Sequence, residues 1–299
     1  MDGILAVDKP SGITSHDVVD HVRRVAGMRR VGHTGTLDPR ATGLLLLCLG
    51  QATRLSEFFT GLDKAYEGRM RMGVVSASYD MEGPILEERP VPDTLTLEDI
   101  QRACEPFHGE IQQVPPMMSA VKRGGTPLYK MARKGIEVER EPRTVRVDVF
   151  RVTAWEPPYA YIAVRCSSGT YVRALCHEVG QSLGCGAALD ALRRTEVGRF
   201  TLDQAVPLDM LKTPDDVRDR LIPMGQTLDF PIVVADNVHA ALIENGNPIL
   251  TRERLNLGPE GGRVQVHDRR GRLIAIGEAK PSAAGYRIMP RRVLSRRAD

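Results

Sequence analysis

Six apolar residues in a row, Leu44 to Leu49, stand between Gly43 and Gly50 and follow directly on GHTGTLDPRATG, residues 32–43. A run this short, bounded by glycines, reads as a strand buried on both faces. The stretch before it is its opposite in character. It holds three glycines, three threonines, a proline, a histidine, an arginine and a single acid, Asp38. Core therefore begins immediately behind a tight, solvated loop. A fold for this chain has to present that loop at the end of a buried strand, and a function has to explain its carboxylate.

The rest of the chain can bury such a strand. It has 299 residues, 42% of them apolar and 26% charged, enough for one large domain or two unequal ones of globular type. The apolar run is far short of the roughly 20 residues that span a bilayer. The opening MDGILAVDKP has acids on both sides of a short apolar stretch and does not read as a signal peptide, so a cytoplasmic, membrane-free protein is expected. The cysteines, at 48, 104, 166, 176 and 185, are odd in number and lack a CxxC pair, which argues against a disulfide framework and a zinc site. Cys176 and Cys185 read as helical core residues.

Net charge is only +3, but it is unevenly spread. Residues 80–110 hold nine acids against Arg89 and Arg102. Residues 122–151 hold nine cations against four acids, and residues 263–299 hold ten cations against Asp268, Glu278 and Asp299. Two basic segments in a nearly neutral chain suit a polyanion docked on one face, and a solvated surface explains them equally well. In the tail the arginines are interleaved with glycine and apolar residues, which favours phosphate contact over a disordered tail.

Periodicity supplies the remaining elements. Ile4–Val7 is a short strand. Thr14-Ser15-His16-Asp17 has capping-box spacing ahead of Val18, Val19, Val22 and Val25, and Gly27 stops that helix. Residues 52–59 form a short helix, and Tyr66, Gly68, Met70 and Met72 alternate with charged residues as in a strand. Leu97, Ile100, Cys104 and Phe107 mark an amphipathic helix. Residues 115–143, rich in proline, glycine and cations, read as a mobile insertion with one short helix near 129–134. Val145–Val149 and Tyr159–Arg165 are strands, and Tyr171–Leu183 is a helix. From about residue 225 the texture changes to a helix over 238–245 and three strands, 263–267, 273–278 and 286–290, the first two joined by a turn at 268–271. The links between strands of the larger part are irregular, which favours a mixed α+β sheet over a doubly wound one.

A lone acid in a loop is most often a turn former or a helix cap. Here the glycines permit close backbone approach, the threonines supply hydroxyls, and Pro39 stiffens the turn, so the loop can hold a side chain at a surface that another molecule reaches. Rival chemistries lack their parts. There is no phosphate-loop or dinucleotide motif. His33 and Thr36 have no third group to orient them as base and nucleophile. Glycosidase chemistry needs a second carboxylate, and Asp38 has no acidic neighbour before Glu57. One aspartate acting as nucleophile or base remains. Burial would raise its pKa from about 3.9, and a cation within about 4–6 Å would lower it. Arg40, two residues on, and Arg173, in SSGTYVRAL, are the candidates.

Taken together, these residues resemble the bacterial TruB family, the tRNA pseudouridine-55 synthases. GHTGTLDPRATGLLLLCLG resembles the family's catalytic loop, KPSGITSHDVV (9–19) its N-terminal motif, Lys64-Ala65-Tyr66 its K-x-Y strand, and SGTYVR (168–173) and LRRT (192–195) with Gly198 and Phe200 its later motifs. PPMMSAVKRGGTPLYKMARKG resembles its RNA-gripping insertion. The motifs run in family order over residues 3–200. The resemblance implies an α+β fold: a mixed, largely antiparallel sheet domain of pseudouridine synthase type at 1–227, with the RNA-binding insertion at 115–143, and a small β-rich PUA-like domain at 228–299.

It further implies that Asp38 is the catalytic aspartate and that Arg173 pairs with it. Tyr66 stacks on the target uracil and takes part in proton transfer at C5. His33 supports the flipped nucleotide, and Tyr171 and Leu192 line the base pocket. Lys122, Arg123, Lys130, Arg133 and Lys134 of the insertion contact the RNA backbone. The partner is the T arm of tRNA, with no cofactor, no metal and no obligatory protein partner, and a monomer is expected. Read without the family, Tyr66 fits core packing as well. Two departures stand out: Arg40 where the family commonly has leucine, and Met118 where the insertion often has an aromatic residue. The competing readings are a non-catalytic tRNA-binding or tRNA-folding protein on the same scaffold, and a synthase that works within a guide-RNA particle.

Overall fold

The computed structural model describes residues 1–294, apart from Ala120, Arg133 and the side chain of Lys122. β1 (Gly3–Lys9) is almost entirely buried. α1 (Ser15–Ala26) begins with the expected capping box: Thr14 Oγ accepts from the Asp17 amide, and the Asp17 carboxylate accepts from the Thr14 amide. Val18, Val19 and Val22 form its buried face, and Gly27, at φ 62°, closes it. β2 (Val31–His33) leads into the Asp38 loop, and β3 (Thr42–Leu49) carries the apolar run, buried from Gly43 onward. β1 and β3 pair antiparallel along the whole of β1.

α2 (Ser56–Thr60) ends at Gly61 and precedes β4 (Lys64–Met72). β5 (Val74–Ser76) and β6 (Ile85–Glu88) form a separate ribbon whose connection, 77–84, reaches back over the larger sheet. α3 (Leu97–Cys104) buries Ile100 and Cys104, and β7 (Gly109–Gln113) follows. The insertion contains β8 (Lys122–Arg123), β9 (Thr126–Pro127) and α4 (Leu128–Ala132). It ends where the long β10 (Arg143–Glu156) begins. β11 (Tyr159–Cys166), α5 (Val172–Ser182), β12 (Ala187–Val197), β13 (Phe200–Thr201), β14 (Val206–Pro207) and α6 (Pro214–Arg218) complete the larger part.

Ten strands form one sheet in the order β14-β1-β3-β12-β4-β11-β10-β7, with β2 beside β3 and β13 beside β12. All pairings are antiparallel except β1–β14 and β3–β12. The sheet is therefore mixed and largely antiparallel, as expected. The β3–β12 joint is only two residue pairs long, Thr42 with Arg193 and Gly43 with Arg194. Gly43, at φ +99°, is required there, because a Cβ would lie 2.3 Å from the Arg194 carbonyl oxygen.

β12 is central, yet the sequence reading passes over it. Slips between Leu189 and Ala191 and between Arg194 and Glu196 break the period of two, and charges interrupt its apolar residues. Each of those charges has a partner: Asp190 with Arg69, Arg193 with Asp8, and Arg194 with two carbonyls.

The C-terminal part comprises β15 (Ile232–Ala235), α7 (Asn237–Glu244), β16 (Ile249–Thr251), β17 (Gly262–Asp268), β18 (Leu273–Ser282) and β19 (Gly285–Val293). Its sheet runs β15-β17-β18-β19-β16. The expected 268–271 turn joins β17 to β18, with the Asp268 carboxylate accepting from the Arg270 and Arg272 amides. Leu228, Leu273, Ile276 and Leu294 pack in one apolar cluster with Ile4, Leu44, Leu46, Phe59 and Phe200, so this sheet shares a core with the larger one. All five cysteines are buried and free, and Cys185 lies beyond the end of α5 rather than within it. Among the described residues no helix is long and apolar enough to cross a membrane.

Candidate active site

The Asp38 loop is fastened by groups drawn from the N-terminal motif and from β12. Lys9, fully buried, directs Nζ to the carbonyls of Pro10 and Pro39, both at 2.9 Å. The Gly12 amide donates to Pro39 O at 2.9 Å. Buried Ser15 both accepts from the Leu37 amide (2.8 Å) and donates to the Leu37 carbonyl (3.1 Å). From the other side, Arg194 donates Nε to Leu44 O at 2.7 Å and Nη2 to Gly35 O at 3.0 Å. Burial pushes Lys9 down to about 8, although the carboxylates of Glu82 and Asp38 favour its charge.

α5 delivers Arg173, whose side chain is only 5% exposed. Its Nε lies 3.2 Å from Asp38 Oδ2 and its Nη2 3.4 Å from Asp38 Oδ1, a two-point clasp on one carboxylate. Nη2 also donates to Met118 O at 2.7 Å, and Nη1 to Ser78 O at 3.4 Å. A second carboxylate, Asp80, has Oδ2 3.8 Å from Nη1. Burial raises the Asp38 carboxyl above its ordinary value. Arg173 offsets part of that, Asp80 adds to it, and Lys9 pulls the other way.

Asp38 opens onto a cleft of about 1140 Å³. Loop 34–39, Lys64, Tyr66, Leu192 and Arg194 form one side. Met117, Met118, Ser119, Tyr129 and Ala132 of the insertion line it as well, together with Ser167–Arg173. Tyr66 sits opposite Arg194 across the β4–β12 ladder. Burial raises the Tyr66 phenol above its ordinary value, against the pull of the Arg194 charge. Lys64, with Nζ held by Thr60 O and Leu62 O, is pushed down to about 8 by burial. Among the described residues no group of three or more His, Cys, Asp and Glu is arranged to hold a metal ion.

With this geometry in view, known proteins can be compared. The N-terminal domain of the TruB family pseudouridylate synthases matches residues 23–172, and the C-terminal domain of tRNA pseudouridylate synthase B matches 173–229. The chain belongs to the TruB family. The tRNA pseudouridine synthase B of Pseudomonas aeruginosa (strain UCBPP-PA14) is 42% identical over 299 residues, covering 98% of this chain and 95% of that protein. The enzyme of that name from Opitutus terrae is 50% identical over 228 residues, which take in 94% of that protein but 76% of this chain. A chain in the crystal structure of a Cbf5-Nop10-Gar1 complex is similar over 99% of this chain and 85% of that one, with 26% identity and a TM-score of 0.75.

Within this TruB-family site, the expected Asp38, Tyr66, Arg173, Tyr171 and Leu192 all line the cleft. His33 does not. It ends β2 opposite Leu47, where burial lowers its pKa and its Nδ1 is buried with no hydrogen-bond partner. Of the insertion cations, Lys130 and Lys134 are exposed, and Arg123 donates to Glu139 O. Arg133 and the Lys122 side chain fall outside the described residues. The cation beside Asp38 is Arg173. Arg40 instead donates to Met81 O at 3.2 Å, and Met118 acts through its carbonyl.

Sequence reasoning missed three groups. Asp80 lies 42 residues from Asp38 in the chain, so a search for a neighbouring acid does not find it. Arg194 and Lys9 stand inside quoted motifs, LRRT and KPSGITSHDVV, but are given no role of their own. For Lys9 a signal was present: a cation closing the apolar strand GILAV needs an internal partner once buried.

Proposed function

We propose that this TruB-family protein isomerises uridine-55 in the T arm of tRNA to pseudouridine, with Asp38 as the essential carboxylate. The observation that carries this reading is the clasp of Arg173 on Asp38 at 3.2 and 3.4 Å, at the edge of a cleft that can take a flipped-out nucleotide. A stacked base has to leave its stack to react, at a cost of a few kcal/mol. Stacking on Tyr66 returns about 1–3 kcal/mol of that. Tyr171 and Leu192 enclose the base. The glycosidic C–N bond breaks, uracil rotates, a C–C bond forms at C5, and the C5 proton leaves. Tyr66 takes part in that last transfer.

Atoms and electrons balance within the substrate, so the reaction requires no cofactor, energy donor or metal. Residues 1–227 are the catalytic domain in this reading. The insertion and the C-terminal sheet (228–299, PUA-like) supply phosphate contacts that position RNA without reading its sequence. The protein acts in the cytoplasm as a monomer with no obligatory protein partner.

The test uses an unmodified tRNA transcript tritiated at uracil C5, with no added cofactor. Tritium release equivalent to one uridine per tRNA is expected, lost when U55 is replaced and lost in Asp38→Asn, which still binds tRNA. A folded protein that binds tRNA but releases no tritium would establish the second reading, a tRNA-binding protein on the same scaffold.

A further inference from the structure

Among the described residues other than glycine, Tyr79 is the one with φ in the left-handed region, at 67°. A bulky L side chain is crowded there, so its surroundings have to hold it. Its position matters more than its rarity. Tyr79 stands between Ser78 and Asp80, and both neighbours hold Arg173 Nη1, one by its carbonyl and one by its carboxylate. The Asp80 carboxylate in turn accepts from Ser78 Oγ and from the Glu82 amide. The backbone at Tyr79 therefore sets where both groups stand relative to the guanidinium.

The backbone bonds at Tyr79 do not explain a tyrosine. Its amide donates to Ser76 O at 3.2 Å, and its carbonyl accepts from the Leu189 amide at 2.9 Å. Glycine would make both without strain. What glycine could not make is the stack of the Tyr79 ring on His177, with centroids 4.0 Å apart and planes 19° from parallel. His177 lies four residues after Arg173 on α5, so one helix face carries both the guanidinium and the imidazole. His177 Nδ1 is buried with no hydrogen-bond partner, so packing rather than hydrogen bonding fixes that end of the ring. Burial also favours the neutral imidazole, against the pull of Glu178. Tyr79 does not line the cleft.

We propose that Tyr79 and His177 form a positioning pair that holds Asp80 and the Ser78 carbonyl on Arg173, and so sets the pose of the guanidinium that clasps Asp38. The pair acts through Arg173 and does not touch RNA. The inference rests on the reading of this site as a pseudouridine synthase centre.

The test compares the full chain with Tyr79→Phe, Tyr79→Gly, His177→Ala and the double variant Tyr79→Gly/His177→Ala. Single-turnover tritium release, tRNA Kd, Tm and amide exchange over 76–84 are measured for each. Tyr79→Gly relieves the backbone, so its Tm should hold or rise. Its rate should nonetheless fall by about ten- to a hundredfold at unchanged Kd, because the geometry around Asp38 loosens. Exchange at Met81 and Glu82 should quicken. His177→Ala should match it, the double variant should be no slower than either, and Tyr79→Phe should retain the rate. A wild-type rate and wild-type exchange in Tyr79→Gly would overturn the pair. If the unaltered protein itself released no tritium, the functional reading would fail, and the exchange comparison would still decide whether the pair holds the loop.

Discussion

The two walls of the cleft are built on different terms. The Asp38 wall is held from three directions: by Lys9 and Gly12 of the N-terminal motif, by Ser15 of α1 and by Arg194 of β12. Among the described residues, the insertion wall bonds largely to itself, as in Leu128 N to Val121 O and Tyr129 N to Ser119 O. Its tie to the Asp38 wall is Arg173, which bonds Asp38 on one side and Met118 O on the other. The wall assigned to chemistry is over-determined, whereas the wall assigned to grip meets it, among the described residues, through the Arg173 guanidinium. This division suits a site that keeps one carboxylate fixed while admitting a nucleotide past the opposite side.

The largest effect should come from the group that joins the walls. Arg173→Met leaves Asp38 and Asp80 without their shared cation, and single-turnover rate should fall by about a hundredfold or more, beyond any change in tRNA Kd. A fall in affinity alone would mean that Arg173 serves grip and not chemistry.

Weakening the fixed wall tests its rigidity. Ser15→Ala strands the buried Leu37 amide and should cost about 1–3 kcal/mol in urea unfolding. A neutral result would show that the loop has slack.

The insertion should respond in the opposite currency. Lys130 and Lys134 are exposed and form no ion pair among the described residues. Replacing both with glutamate should raise Kd at constant single-turnover rate and make the salt dependence shallower by roughly 1–2 in log–log slope. A loss of rate at saturating tRNA would place chemistry on that wall as well.

The finest probe is pH. In the proposed reading Asp38 acts ionised, and burial raises its pKa, so the rate should fall as pH drops through a value above that of an ordinary aspartate. Removing the offsetting cation in Arg173→Met should move that limb to higher pH. Removing the repelling charge in Asp80→Asn should move it to lower pH. Shifts of the same sign in both variants would separate the limb from Asp38.

What could be read in advance follows the range of the interactions. The α1 capping box, the glycine stop, the apolar strand and the 268–271 turn are local, and each stands where its residues place it. The Asp38–Arg173 pairing came from the family resemblance. The residues alone left Arg40 equally eligible, because only the path of α5 brings position 173 to position 38. Asp80, Lys9 and Arg194 were legible as residue types but not as partners, since the groups by which they tie the site together (Arg173, Pro39, Gly35) are remote in sequence, Pro39 lying 30 residues from Lys9 and Gly35 159 from Arg194. The edge strands β15 and β16, four and three residues long, carry too short a pattern to register.

The core shared by the C-terminal sheet and the larger sheet has one more consequence. Phe58 meets Phe230 edge-on, Arg263 lies over both rings, and Arg292 pairs with Glu57 beside them. These contacts add an aromatic and ionic seam to the apolar cluster that the two parts share. A molecule that touched Asp38 and the far sheet together would have to match the span that this seam sets between them.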